Sequence, residues 1–310
     1  MIINKVIGHV KILRPLAPVA ASLLAVLIWA AWFPITKLAV NSQLNEWQLC
    51  FIRFLVSGIV AVPILIRKGF GVTPKVGGVA RAIVISVCAG VGYVSLATLA
   101  LEFAPSIYGM VTPVSMATSS TVLAILLSGR KVNSLTIFSF FLFALGLVFL
   151  ANGENPSNPD ALVGIALFVA AGIFFSVYNI AVSRWSLDPF HATALVSFYS
   201  LIIVAPIGLW QFGNNMLSTG WPELALQAFY QGVLVSYVAL ILFTYAIKRV
   251  GAGRASYLAL LVPATSVLLS ALLLGEKADS AVMVSVCLLV IGMSLGIIGQ
   301  SRLGRKQRAV

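Results

Sequence analysis

The segment NGENPSNPDA, residues 152–161, is polar and dense in turn-forming residues, and long apolar tracts flank it on both sides. A helix needs about 20 apolar residues to cross the hydrocarbon core. Counting outward on that length, runs fall near 17–40, 47–66, 79–101, 105–128 and 134–151 before the segment, and near 161–184, 191–212, 224–247, 254–274 and 281–300 after it. The expected fold is an all-α polytopic membrane protein of ten transmembrane helices. Residues 1–151 form one five-helix unit, 152–160 an external linker, and 161–310 a second five-helix unit with a basic tail.

Composition agrees. Of 310 residues, 60% are apolar and 9% charged, and mean hydropathy is +1.05, which leaves too little charge to cover a soluble domain. The net charge of +12 does not describe a nucleic-acid binder, because the cations are spread over short loops. Lys5, Lys11, Arg14, Arg67, Lys68, Lys75, Arg81, Arg130, Lys131, Arg184, Lys248, Arg249, Arg254, Arg302, Arg305, Lys306 and Arg308 fall on one face of the expected bundle, and Lys277 alone on the other. By the positive-inside rule the first face is cytoplasmic. Acidic Glu46, Glu102, Glu154, Asp160, Glu223, Glu276 and Asp279 lie on the opposite side or at its edge, with Asp188 inside. Both termini are therefore expected in the cytoplasm, and the first apolar run reads as a retained helix rather than a cleaved leader.

The halves echo one another. KLAV at 37–40 and VAVPI at 60–64 return as NIAV at 179–182 and VAPI at 204–207; Tyr93, Pro113 and GRKVNS at 129–134 return as Tyr237, Pro263 and GEKADS at 275–280. Five helices is an odd number, so the second unit enters the membrane from the opposite face, which makes the repeat inverted. Proteins so built place their site near the midplane between halves.

On the first helix a rotation of about 100° per residue puts Trp29, Trp32, Phe33, Thr36 and Lys37 on one face roughly 140° wide. At the repeat offset stand Ala171, Phe174, Phe175, Tyr178 and Asn179. The rings either line a cavity or pack the core, and Thr36, Tyr178 and Asn179 on the same face favour the cavity. Tyr93 and Tyr237 add phenols near mid-membrane. Pro34, Pro113 and Pro263 read as hinges or as static kinks. Ser115, with Thr112 and Ser119, shares a face suited to water or to close packing. Lys37 and Arg53 lie inside spans, where a charge costs a few kcal/mol unless it snorkels, pairs or faces water. They either anchor, with Arg53 paired to a carboxylate or to carbonyls, or meet an anionic substrate group in an outer vestibule that includes Glu102.

The chain resembles the drug/metabolite transporter superfamily in its EamA-type form. The resemblance rests on the five-plus-five spans, the tryptophan-bearing first helix ending in TKLA, Arg53 and Phe54 in the second, and the pattern from Pro263 to LLLGEK at 272–277. The first half departs with LLSGRK in the corresponding place. Length and the aromatic first helix are similar to YddG-type exporters of aromatic amino acids and methyl viologen. The resemblance implies a small-molecule substrate, no cofactor, and residence in a bacterial inner membrane as a monomer or weak homo-oligomer.

No HExxH, GxSxG or paired membrane aspartates support an enzyme. Cys50, Cys88 and Cys287 lack paired spacing, so neither metal nor disulfide is expected. No carboxylate falls mid-span, which argues for export down a gradient without proton coupling. Gly292 and Gly296 form a GxxxG pair suited to packing in the bundle or to a dimer contact.

Overall fold

Among the described residues of the computed structural model, nine helices are long and apolar enough to span a membrane, and a tenth apolar helix is shorter. The structure describes residues 16–42, 44–71, 78–128, 132–152, 159–211, 220–250 and 258–308. The helices are α1 (Leu16–Asn41), α2 (Glu46–Lys68), α3 (Val79–Phe103), α4 (Val111–Ser128), α5 (Ser134–Ala151), α6 (Pro159–Arg184), α7 (Pro189–Gln211), α8 (Trp221–Phe229 continuing through Tyr230–Val238 and Ala239–Val250), α9 (Leu261–Leu274) and α10 (Ser280–Arg308). The ninth helix is shorter than the expected 254–274, and residues 251–257 lie outside the described part.

Local chemistry sets the starts. Asn45 accepts from the N–H groups of Trp47 and Gln48, and the Gln48 side chain accepts from Asn45 N–H at 3.0 Å, a reciprocal cap on α2. Asn133 caps α5 through Thr136 N–H at 2.8 Å. Pro113 and Pro263 each stand third in their α-helices, where a missing N–H leaves no intrahelical bond unmade. Each comes just after a change in its helix, the short Ser106–Met110 helix before Pro113 and a turn at Leu260 before Pro263. Pro34 does lie inside α1, and it is buried.

The helices pair in a pattern that exchanges with itself. α1 packs on α8 and α9, α6 on α3 and α4, α2 on α7, and α5 on α10. Swapping α1–α5 for α6–α10 turns each pairing into another member of the set, as two inverted five-helix repeats require. Gly292 and Gly296 of α10 lie against Ser139 and Leu142 of α5, so this GxxxG pair serves packing within the bundle.

The two helices that exchange as α3 and α8 are both interrupted by wide π turns, at Val87–Val91 and Tyr230–Val238. In α3 the interruption centres on Gly90, with φ −101° and ψ −114°. Ser200 of α7 enters the gap. It accepts from Val91 N–H and donates to Ser86 C=O, both at 3.2 Å, so main-chain groups freed by the break find partners. A Cβ on residue 90 would lie 1.9 Å from Ser200 Oγ, which leaves room for glycine alone.

Where α6 crosses α4, a Cβ on Gly172 would meet Ser115 Cβ at 2.6 Å and the Met116 main-chain nitrogen at 2.8 Å. Backbone cannot swing aside. Gly172→Val should therefore destabilise the folded protein by about 1–3 kcal/mol through overpacking, read as a lowered midpoint in thermal unfolding of the detergent-solubilised chain, whereas Gly172→Ala should lose less.

Candidate functional site

Ring contacts run without a gap from α6 through α1 and α3 and back to α6. Phe168 meets Phe33 at 6.0 Å, Phe33 meets Trp32 at 5.1 Å, and Trp32 stacks on Tyr93 at 6.3 Å. Tyr93 then meets Phe175 at 5.0 Å, and Phe175 meets Tyr178 at 5.2 Å, both edge to face. Five expected residues, Trp32, Phe33, Tyr93, Phe175 and Tyr178, thus join one seam between the repeats.

A polar row from α8 abuts this seam. Glu223, Gln227 and Gln231 stand at i, i+4 and i+8, and each hands a hydrogen bond to the next: Gln231 Nε2 donates to Gln227 Oε1 at 3.1 Å, and Gln227 Nε2 donates to Glu223 Oε1 at 2.8 Å. Gln227 also reaches Ile35 C=O, and Gln231 reaches Thr36 Oγ1, each at 3.1 Å. The oxygen of Gln231 accepts from Trp32 Nε1 at 2.7 Å and from Arg53 Nη1 at 3.3 Å. Indole and guanidinium nitrogens only donate, so they fix which way the amide points. Gln227, Gln231 and Phe168 were missed in the sequence. The glutamines carried a signal in their helical spacing within an apolar run.

Other expected residues have structural partners. Lys37 donates to Leu101 C=O and Ala104 C=O, capping the end of α3. Ser115 donates to Val169 C=O at 2.9 Å and Tyr237 to Ser57 C=O at 2.9 Å, each tying two helices. Trp29 pairs with Phe243 at 5.1 Å, apart from the seam. Phe174 is 36% exposed beside Gly92, and Asn179 is partly buried; neither joins the ring contacts. Glu102 is exposed near the end of α3, so it does not meet Arg53 in an ion pair.

Each end of the bundle is tied across the repeats. At the end where α1 stops and α2 starts, Glu276 accepts from Ser106 N–H at 2.8 Å and Ile107 N–H at 2.7 Å, at the start of the short Ser106–Met110 helix. Ser106 and Ser270 hydroxyls meet at 2.8 Å. At the opposite end, His191 Nε2 lies 2.9 Å from Gly69 C=O, Tyr199 donates to Phe70 C=O at 2.7 Å, and Arg81 lies 5.1 Å over the Trp185 ring. Lys68 and Asp188 pair at 2.5 Å there.

Burial alone would raise the Asp188 carboxyl, but the Lys68 ammonium and the His191 N–H hold it below its ordinary 3.8. A depressed acid stabilises the fold above its unfolded value and loses that contribution as pH falls through the folded one. Both partners are about half exposed, so the contribution is at most about 1 kcal/mol. The gap in unfolding midpoint between wild type and Asp188→Asn should hold from about pH 7 to pH 5 and close below about pH 3.

Two interrupted helices and an aromatic seam, set in a pair of inverted repeats, are an architecture suited to a polytopic membrane transporter. The chain belongs to the EamA-like transporter family, whose profile matches residues 16–152 and again 162–297. It is similar to an uncharacterized transporter of Clostridium kluyveri, 24% identical over 265 residues that span 82% of this chain and 84% of that one. A solved crystal structure shares the fold at a TM-score of 0.57 and 20% identity, over 92% of this chain and 98% of the other.

Replacing Gln231 by leucine should strand the Trp32 indole and one guanidinium nitrogen together. A loss of about 2–3 kcal/mol is expected, together with a change in tryptophan emission; Thr36→Val, which leaves both donors satisfied, should cost less.

Proposed function

We propose that the protein exports small amphipathic organic solutes, aromatic and neutral amino acids foremost, by alternating access and without obligatory proton coupling. The observation that carries this reading is the seam of Trp32, Tyr93, Phe175 and Tyr178, set between the repeats and beside the amide of Gln231. A solute ring can replace one protein ring as partner of another, and its polar groups can take over hydrogen bonds that now run between α1 and α8. The likeness to YddG-type exporters agrees with that chemistry.

Movement follows from the ties at both ends. Those around Glu276 and those around Asp188 cross between the repeats, so releasing one set while keeping the other would open the seam to one side. On the distribution of lysine and arginine we take the end where α1 stops and α2 starts as external and both termini as cytoplasmic, in a bacterial inner membrane.

Uncoupled transport is supported by where the acids stand. Among the described residues, Glu46, Asp160 and Glu223 lie in the first turns of their helices, Glu102 in the last turn of α3, and Asp188, Glu276 and Asp279 between helices. None occupies mid-membrane, where a proton carrier would work. An aromatic seam also suits flat organic cations. The Arg53 guanidinium, one hydrogen bond from the acceptor that Trp32 shares, repels them.

Purified protein in sealed liposomes should take up labelled phenylalanine saturably, with the rate unchanged when the proton gradient and voltage are collapsed. Strict dependence on a proton gradient would sink the uncoupled reading. Trp32→Leu and Tyr93→Leu should each lower uptake at least tenfold. Lys37→Gln should leave substrate affinity within about twofold, since its ammonium serves α3 carbonyls.

A further inference from the structure

Arg53 stands about 10 Å inside α2 from its outer end, counting about 1.5 Å per residue. The expected partners, a carboxylate or main-chain carbonyls, do not meet it. The hydrogen bond the structure gives it goes to the neutral oxygen of Gln231 at 3.3 Å, its guanidinium carbon lies 5.8 Å from the Phe54 ring centre, and its buried Nε has no partner. The nearby Tyr230 hydroxyl is spent on Ile28 C=O at 2.5 Å. Among the described residues, the ion pair is Lys68 with Asp188, at the other end of α2. A cation so placed is costly, and the weak bond to one amide does little to offset it.

We infer that Arg53 is the receptor for a single carboxylate on the transported solute, and that Gln231 Oε1 occupies its place when no solute is bound. This rests on the transporter reading above and narrows its substrate class to organic monocarboxylates. A guanidinium offers a planar fork that matches two carboxylate oxygens, and here both Nε and the Nη positions are short of acceptors. Arg53 alone offers free donors here, because the Lys37 ammonium is directed at Leu101 and Ala104 C=O, so the fork matches one carboxylate rather than a phosphate dianion. Position follows from the shared acceptor. Trp32 and Arg53 both donate to Gln231 Oε1, so a carboxylate that displaces this oxygen from Arg53 has the Trp32 and Tyr93 rings beside it. The bond from Gln231 to Gln227, within α8, does not depend on α1 or α2 and keeps the amide near the place to which it returns.

The test is a ligand series on the purified full-length protein in detergent, read as thermal stabilisation against concentration, which reports binding without requiring a variant. Phenylalanine and 3-phenylpropionate carry ring and carboxylate; 3-phenylpropionamide and 3-phenylpropanol carry the ring with neither carboxylate nor charge; hexanoate carries the carboxylate alone. Both carboxylate-bearing ring compounds should bind at least tenfold more tightly than either ring compound lacking the group. Arg53→Gln should erase that difference, and Arg53→Lys should retain part of it. Equal binding of carboxylate-free rings overturns the receptor and leaves the aromatic transporter intact. Arg53-dependent binding of hexanoate with no ring preference upholds the receptor and removes the aromatic reading. Failure of every carboxylate to bind overturns the inference.

Discussion

In hydrocarbon there is no water to satisfy a main-chain N–H or C=O, so every departure from a straight helix has to be repaired by another group. That constraint organises this molecule. The break at Gly90 in α3 is filled by Ser200, the buried amides at the start of the Ser106–Met110 helix are taken by Glu276, and carbonyls at the end of α3 by Lys37. Tyr237 of the interrupted α8 repays α2 by donating to Ser57 C=O. Each repair joins one segment of the chain to a distant one, so the irregular backbone is also what fastens the bundle together.

The same irregularities place the site. A π turn takes more residues than an α turn and resets the direction of every side chain beyond it. In α3 the reset comes just before Tyr93, whose ring then bridges Trp32 of α1 and Phe175 of α6. In α8 it begins at Tyr230, beside Gln231. Two breaks that exchange under the repeat thus deliver the aromatic and the polar halves of one seam to the same α1 side chain, Trp32. Partners that hold a break closed are also partners a moving helix can release, which suits a protein that must open to either side in turn.

Much of the fold was legible because its signals are long and redundant. Apolar run length marks the helices, and the loop cations alternate independently of it. Trp32, Phe33, Phe175 and Tyr178 were also legible, since α1 and α6 are regular enough for a projection of about 100° per residue to hold. Legibility ended where regularity did. The projection gave Trp29 and Phe174 the same standing as their neighbours, yet one pairs with Phe243 and the other stands 36% exposed. Proline marked positions 113 and 263, but not that a short helix and a turn would stand just before them. Gln231 and its link to Arg53 span 178 positions, a pairing no local pattern encodes.

Two cations enter the half of the bundle that ends near Glu276, and their different fates show what side-chain chemistry decides. Lysine presents a compact ammonium, and at the C-terminal end of α3 it finds two carbonyls and the negative end of the helix dipole, which together replace much of its lost water. Arginine presents a planar fork that two carbonyls at one helix end cannot saturate. At position 53 the fork faces an amide oxygen already engaged by an indole. Exchanging the residues would therefore not be neutral at either site: a lysine at 53 would centre its charge on one oxygen, and an arginine at 37 would exceed the acceptors at hand. The chain places the satisfiable cation where the helix ends and the unsatisfied one against the aromatic seam.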